Sequence, residues 1–300
     1  MTLAQIIKQK LDRLESVPDT LVNSLVKIEK EFFNKLLKLV SQLEVEDGFI
    51  LQSKKNFQLL AEIQSSLKQL LLDTGYVNDV KDFISEFDSQ AKINNAYFAK
   101  AFQDSQIPSV AGDILTIKKN TTANLLLGET LDSQFINAVK NQVELAVTSK
   151  ASFSETIDAL QTIVTGNAEV DSKLAQYTKQ IAYDAFAISD RAYTKAFSDS
   201  INAQWFKYSG TVIKTSRPFC DERHNKFYFI KEIQEWAGED WAGKIQGTNT
   251  ETIFSTAGGY NCRHSILPVS IFSIPIEVIK RNVANGNYKP SDFEKQELNL

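Results

Sequence analysis

The spacing of apolar residues divides the chain into a long helical stretch and a shorter final region with a different rhythm. Leu21, Leu25, Ile28, Phe32, Leu36, Leu39 and Leu43 recur at steps of four and three, with lysines and glutamates between them. That spacing puts them on one face of an amphipathic helix. Pro18 and Asp19 carry a start signal for it, and Asp47-Gly48 a stop. Leu60, Ile63, Leu67, Leu70 and Leu71 predict a second helix that Gly75 ends. Val80, Phe83, Phe87 and Ala91 open a third, which runs on through NNAYFAKAF to Pro108. Residues 1–108 therefore predict an N-terminal helical region. Short turns between its helices favour an antiparallel bundle or hairpin, and the narrow stripes also suit a coiled coil with another chain.

Residues 109–131 (SVAGDILTIKKNTTANLLLGETL) mix short apolar pieces with polar clusters and two glycines. They predict a linker, with room for one short hairpin or helix, and the domain boundary. Helices resume at 132. Phe135, Val139, Val143 and Ala146 share a face, and Ser152-Phe153-Ser154-Glu155 has the spacing of a capping box before a short helix that stops at Gly166. From Ala168 to about Trp205 there is neither glycine nor proline, and Leu174, Tyr177, Ile181, Ala185, Ile188, Ala192 and Ala196 form one stripe. At about 1.5 Å per residue this predicts a helix longer than about 50 Å. Its alanines let another helix approach closely.

The rhythm changes at Trp205. Phe206–Thr215 alternates around a Ser-Gly turn and predicts a strand or hairpin. Lys226–Ile230 (KFYFI) is β-prone, and Ile266–Val269 is another short apolar piece. The expected fold is mostly α with a small C-terminal α+β unit: helical over 132–205, α+β over 206–274, with a polar tail at 275–300 that is mobile or docked on a neighbour.

Composition narrows the function classes. A 43% apolar and 23% charged chain is an ordinary globular one, so a packed core is expected. The net charge of -4 argues against a broad face for duplex DNA, which needs a basic excess. No apolar run approaches the roughly 18 residues of a membrane span, and the N-terminus lacks the apolar core of a signal peptide. Two cysteines do not make a disulfide framework, which points to a reducing, cytoplasmic origin.

The reactive side chains lie in one stretch. Every cysteine and histidine falls within Arg217–Ser270: Cys220, His224, Cys262 and His264. Two thiols and two imidazoles suit a structural tetrahedral zinc site, and a thin β-rich unit gains most from one. Three other readings stand beside it. The cysteines can be buried thiols with hydrogen-bonded histidines around them. Cys220 and Cys262 can form a disulfide. A catalytic Cys-His pair would need an orienting group and an oxyanion hole, which the sequence does not single out. Arg217, Asp221, Glu222, Arg223 and Arg263 surround these residues. Arginines among carboxylates predict a structural ion-pair network, with phosphate contact as the alternative.

A family resemblance enters at the same residues. Trp205 with Tyr208-Ser209-Gly210, then Thr215-Ser216-Arg217-Pro218-Phe219-Cys220, Lys226-Phe227-Tyr228, Gly258-Gly259-Tyr260-Asn261-Cys262-Arg263-His264 and Leu267-Pro268-Val269 follow in order. They resemble the C-terminal domain of the Mu F-like head morphogenesis proteins of tailed bacteriophages. The resemblance covers about 205–270, is weaker over 130–204, and says nothing of 1–105. It departs at His224-Asn225, where such proteins often carry a glycine. It implies a minor head protein, made with the procapsid and found in the virion at the head interior or portal vertex. Portal, major capsid or scaffold proteins are its implied partners, with packaged DNA as a further one, and its implied role is head assembly or DNA delivery rather than turnover of a small molecule. On this reading Cys220, Cys262 and His264 map onto family positions more securely than His224. A metal-dependent hydrolase or nuclease built on the Cys/His cluster, and a DNA-binding ejection factor, are the competing functions. No acidic metal cluster accompanies the histidines, which argues against the first, and the acidic net charge argues against the second.

Overall fold

A computed structural model describes residues 1–300 apart from Asp104 and Leu300. Its first two thirds are helical: α1 (Leu3–Val40), a hairpin of β1 (Val45–Glu46) and β2 (Phe49–Ile50), α2 (Lys54–Leu71), α3 (Val77–Ala101), α4 (Ala111–Leu127), α5 (Glu129–Leu131), α6 (Asn137–Thr148), α7 (Phe153–Thr165) and α8 (Lys173–Ser200). The last third alternates: β3 (Trp205–Gly210), α9 (Pro218–Arg223), β4 (Phe227–Phe229), α10 (Ile230–Glu235), α11 (Ile253–Thr256), β5 (His264–Pro268), α12 (Ile276–Ala284) and α13 (Asp292–Leu298). The fold is mostly α with a small C-terminal α+β part, as the apolar pattern predicts.

Several boundaries differ from the expected ones, each for a local reason. The first helix begins at Leu3 and runs through Pro18. Thr2 and Gln5 form a reciprocal cap, with the Thr2 amide on Gln5 Oε1 at 2.8 Å and the Gln5 amide on Thr2 Oγ1 at 3.2 Å. That cap starts the helix well before the proline, which then costs one backbone bond in the interior. Residues 111–127 are a helix rather than a linker. Their glycines sit where helices tolerate them, Gly112 in the first turn and Gly128 just past the end, so nothing breaks the interior. The long helix is 28 residues, Lys173–Ser200, or about 42 Å. It is shortened at its start because Asn167 Oδ1 caps a turn, accepting from the amides of Glu169 and Val170 at 2.9 and 3.0 Å. The tail holds two helices. Ser291 and Glu294 make a full capping box for the second, and Ile279 and Ile274 of the first stretch bury against Trp205 and Phe229. The expected third helix stops at Ala101. Its expected continuation to Pro108 passes Asp104, and the tail ends on Leu300, both outside the described residues.

The chain divides into two compact units, and neither is one continuous segment. One comprises Met1–Ser16, Glu86–Lys118 and Tyr183–Leu300, and the other Val17–Ser85 and Lys119–Ala182. The crossings fall within α1, α3, α4 and α8. Only that between Lys118 and Lys119 lies in the expected linker, and it lies inside a helix. The expected division into 1–108, 109–131 and 132–274 follows the chain, whereas these compact units gather segments distant along it.

The helical unit is built on the predicted stripes. Leu21, Leu25, Ile28, Phe32 and Leu36 of α1 are buried, as are Leu60, Ile63 and Leu67 of α2 and Val139 and Val143 of α6. Phe32 meets Phe135 with ring centroids 5.4 Å apart. The β1–β2 hairpin is tied down by buried Asn56, which donates to the carbonyls of Glu44 and Leu51 at 2.9 and 2.8 Å. Ser152 Oγ accepts from the Glu155 amide at 3.5 Å, so the sequence cap starts α7 where predicted.

The sheet-bearing unit centres on an antiparallel sheet of order β4-β3-β5. Trp205 pairs with Phe229, and Gly210 with His264. Gly210 is therefore the last residue of a strand, not a hairpin turn. A Cβ there would lie 2.6 Å from the His264 Cα, so only glycine lets the two strands meet at that point. Against the sheet lies a buried polar network. Lys10, fully buried, places its ammonium 2.5 Å from both Asn94 Oδ1 and Asp190 Oδ1 and 3.0 Å from Thr194 Oγ1. Gln90, Asn94 and Ser265 also donate to the Asp190 carboxylate, at 2.9, 2.9 and 3.1 Å. Burial would push this carboxyl up, but the Lys10 charge and these donors outweigh it and hold it below its usual range.

Candidate metal centre

The short helix α9 presents Cys220. Pro218 at its first turn fixes the start, and Arg217 stands at the N-cap. Cys262 lies two residues before β5, and His264 is the first residue of that strand. The three side chains are buried, and their ligand atoms all lie within 4.8 Å of one another. The two sulfurs are 4.0 Å apart and both thiols are free. This buried group could hold a metal ion, and among the described residues it contains no carboxylate.

The surroundings fit such a group. Gly258 forms one wall, where a Cβ would stand 2.4 Å from Cys220 Sγ and 2.9 Å from Cys262 Sγ. The space beside the sulfurs is thus kept open by the absence of one side chain. Tyr208 stacks on the His264 ring at 4.7 Å and 12°, fixing its plane. Its hydroxyl lies 3.4 Å from Cys220 Sγ and 3.6 Å from Cys262 Sγ. Burial, reinforced by the two cysteines, pushes that hydroxyl well up, so it remains a neutral donor. The hydrogen bond from Cys220 holds the Cys262 thiol well below its usual range, against the effect of burial and with help from His264 and Arg191. The same bond and burial push Cys220 up, so the two thiols lose their protons as one coupled pair.

Arg191 of α8 anchors the box. It is buried, and donates to the carbonyls of Ser255 (2.7 Å), Cys262 (3.2 Å) and His264 (2.9 Å). Its helix neighbour Asp184 accepts from the Asn261 amide at 2.5 Å. Burial pushes Asp184 up despite that bond. Trp241 Nε1 donates to the Gly258 carbonyl at 2.9 Å, and Trp241 itself stacks on Phe219 at 4.1 Å.

The structure brings together Cys220, Cys262 and His264, and sets His224 beside them. His224 stands outside the 4.8 Å group, with Nδ1 3.2 Å from His264 Nε2. Burial, then the neighbouring His264 charge, pull its pKa down. The five charged residues do not form one network. Arg217 donates to the carbonyls of Gly258 and Tyr260 at 3.4 and 2.7 Å. Arg223 makes a two-pronged contact with Glu239 at 2.6 and 2.7 Å and covers the Phe219 ring. Arg263 pairs with Glu15 at 3.2 Å. Glu222 reaches only its neighbour Arg223, at 3.8 Å, and Asp221 is exposed. Side chains one position apart on a helix do not face each other, so the close contacts of Arg217, Arg223 and Arg263 go to residues distant in sequence.

Arg191, Tyr208 and Gly258 belong to the site but do not follow from the Cys/His spacing. One signal was available for Arg191: it is the only arginine between Arg13 and Arg217, in a region that otherwise uses lysine. Comparison with protein-family models, with curated proteins and with solved structures found no match. No helix among the described residues is long and apolar enough to cross a membrane.

Proposed function

We propose that this chain is a structural minor head protein of a tailed bacteriophage, acting with portal, capsid or scaffold proteins in head assembly or DNA delivery. We further propose that zinc fastens its C-terminal module. The observation that carries the reading is the convergence of the two motif boxes that resemble the Mu F-like proteins. The Arg217–Cys220 box and the Cys262–His264 box meet around Gly258, and every hydrogen bond of Arg217 there serves the fold of the loop between them. Motifs used in this way hold a module together. Thiolates of Cys220 and Cys262 with the His264 imidazole are soft and borderline donors that suit zinc. Bound there, the ion supplies a cross-link whose binding energy is folding energy.

A hydrolase would need a carboxylate or other base at the ion and a path for substrate. The group is buried and has no carboxylate among the described residues. The test is the composition of heads purified from cells producing the phage that encodes this chain, with wild-type protein and with Cys262→Ala. The expected result is wild-type chain in heads at low copy number, and reduced incorporation of the variant. Normal infectious heads that lack the chain would overturn the proposal. So would a nuclease or protease activity that Cys262→Ala abolishes while incorporation stays intact.

A further inference from the structure

Three ligands leave a tetrahedral ion one position open, and what fills that position decides whether the site is structural or catalytic. We propose that His224 closes it, making a Cys2His2 centre with no place for a reactive water. This rests on the reading that zinc binds Cys220, Cys262 and His264.

Two distances carry the argument. A tetrahedral ion with bonds of about 2.3 Å to sulfur and about 2.0–2.1 Å to nitrogen sets its two sulfurs about 3.8 Å apart and its two nitrogens about 3.3 Å apart. The sulfurs of Cys220 and Cys262 stand 4.0 Å apart, and the facing nitrogens of His224 and His264 stand 3.2 Å apart. Each pair already has the length of one edge. His264 is the residue common to the buried trio and the imidazole pair.

The backbone puts His224 within reach. It follows Cys220 by four positions at the end of the same short helix, one turn further on. Beyond it the chain is pinned to the sheet, with the Asn225 amide on the Tyr208 carbonyl at 2.8 Å. Asn225 takes a left-handed conformation, φ 58°, to make that return. Both flanks are therefore fixed, and bringing His224 to the group is a matter of ring rotation. The stacked Tyr208 holds His264 still, so His224 is the residue that turns.

Its outer partner is in place as well. Asn225 Nδ2 lies 2.7 Å from His224 Nε2. A half-turn of that amide offers its oxygen to an Nε2–H, leaving Nδ1 free to bind, and ligating histidines are held in this way by a second partner. The competing ligand, Tyr208, already donates its hydroxyl to Cys220 Sγ at 3.4 Å.

The experiment uses the full-length chain loaded with Co2+ as a spectroscopic substitute for zinc, with affinity measured by competition against a chromophoric chelator. Wild type should bind one ion with an intense tetrahedral visible band. His224→Ala should lose affinity by at least the roughly 10–100-fold that outer partners alone are worth, and its visible band should weaken as water enters. His224→Cys should restore tight binding and raise the thiolate charge-transfer band in proportion to the added sulfur. His224→Ala with wild-type affinity and spectrum would overturn the proposal and leave the zinc reading standing. If wild type binds no ion, or Cys262→Ala binds it as well as wild type does, both fall.

Discussion

The helical unit and the sheet-bearing unit reach stability by different means. In Val17–Ser85 with Lys119–Ala182, the core is a set of aliphatic stripes, and Glu29 is the only buried charge among the described residues. In Met1–Ser16 with Glu86–Lys118 and Tyr183–Leu300, the interior holds Lys10, Asp190, Arg191 and His264, each with its own partners. Stripes specify a face, and many apolar side chains of similar volume satisfy a face. A buried ion pair or a glycine under two sulfurs specifies a single point. The first arrangement tolerates change, and the second concentrates the penalty in a few residues.

The sharpest way to break this contrast is a pair of volume-conserving substitutions. Leu67→Met in the helical unit should cost less than about 1.5 kcal/mol. Lys10→Met should cost about 3–5 kcal/mol, because it strands the Asp190 carboxylate without its cation. Urea unfolding of both variants measures this. Equal midpoints would dissolve the distinction between the units. The double change Lys10→Met with Asp190→Leu should recover much of the loss, since a buried pair can often be replaced by apolar residues.

Gly258→Ala comes next. Its methyl group would overlap both sulfurs, and overpacking of this kind costs about 1–3 kcal/mol. The same variant should bind zinc more weakly than wild type, read by chelator competition. Unchanged binding would show that the space beside the sulfurs is not the metal's.

The smallest effect is expected at Glu29. Burial pushes its pKa up, opposed by the hydrogen bond from Ser172. A carboxyl whose folded pKa is raised stabilises the fold below its unfolded pKa, and that contribution is lost as pH rises toward the folded value. Glu29→Gln keeps the acceptor and removes the charge. It should leave stability at acidic pH nearly unchanged and raise it by less than about 1 kcal/mol at neutral pH. Melting curves across that range check the sign. A variant less stable than wild type at neutral pH would mean that the charge itself is needed.

What was legible in the sequence follows the same division. The stripe from Leu21 to Leu36 predicts its buried face correctly, because a period of 3.6 is written in consecutive residues. The strands Phe227–Phe229 and His264–Pro268 fall where β-prone pieces were found. Cys220, Cys262 and His264 could be gathered from residue type alone. The partners that hold them could not. Arg191, Asp184 and Glu15 come from distant helices, and no local period connects them to the loop they pin. The helix at Ala111–Leu127 is hard to see in the sequence because its glycines look like breaks and in fact mark its ends. The two compact units depend on which distant segments meet, and composition carries no record of that.

That partition also sets an order of events during synthesis. Lys10 is made well before its partner Asp190 and before the strand bearing Ser265, which lie about 180 residues or more further along the chain. At about 5–20 residues per second, translation of the intervening chain takes on the order of ten seconds or more. Through that interval Met1–Ser16 lacks the segment that seats Lys10, and the helical unit, complete by Ala182, is free to form first. Met1–Ser16 therefore completes its packing only once the segment bearing Asp190 and Ser265 exists.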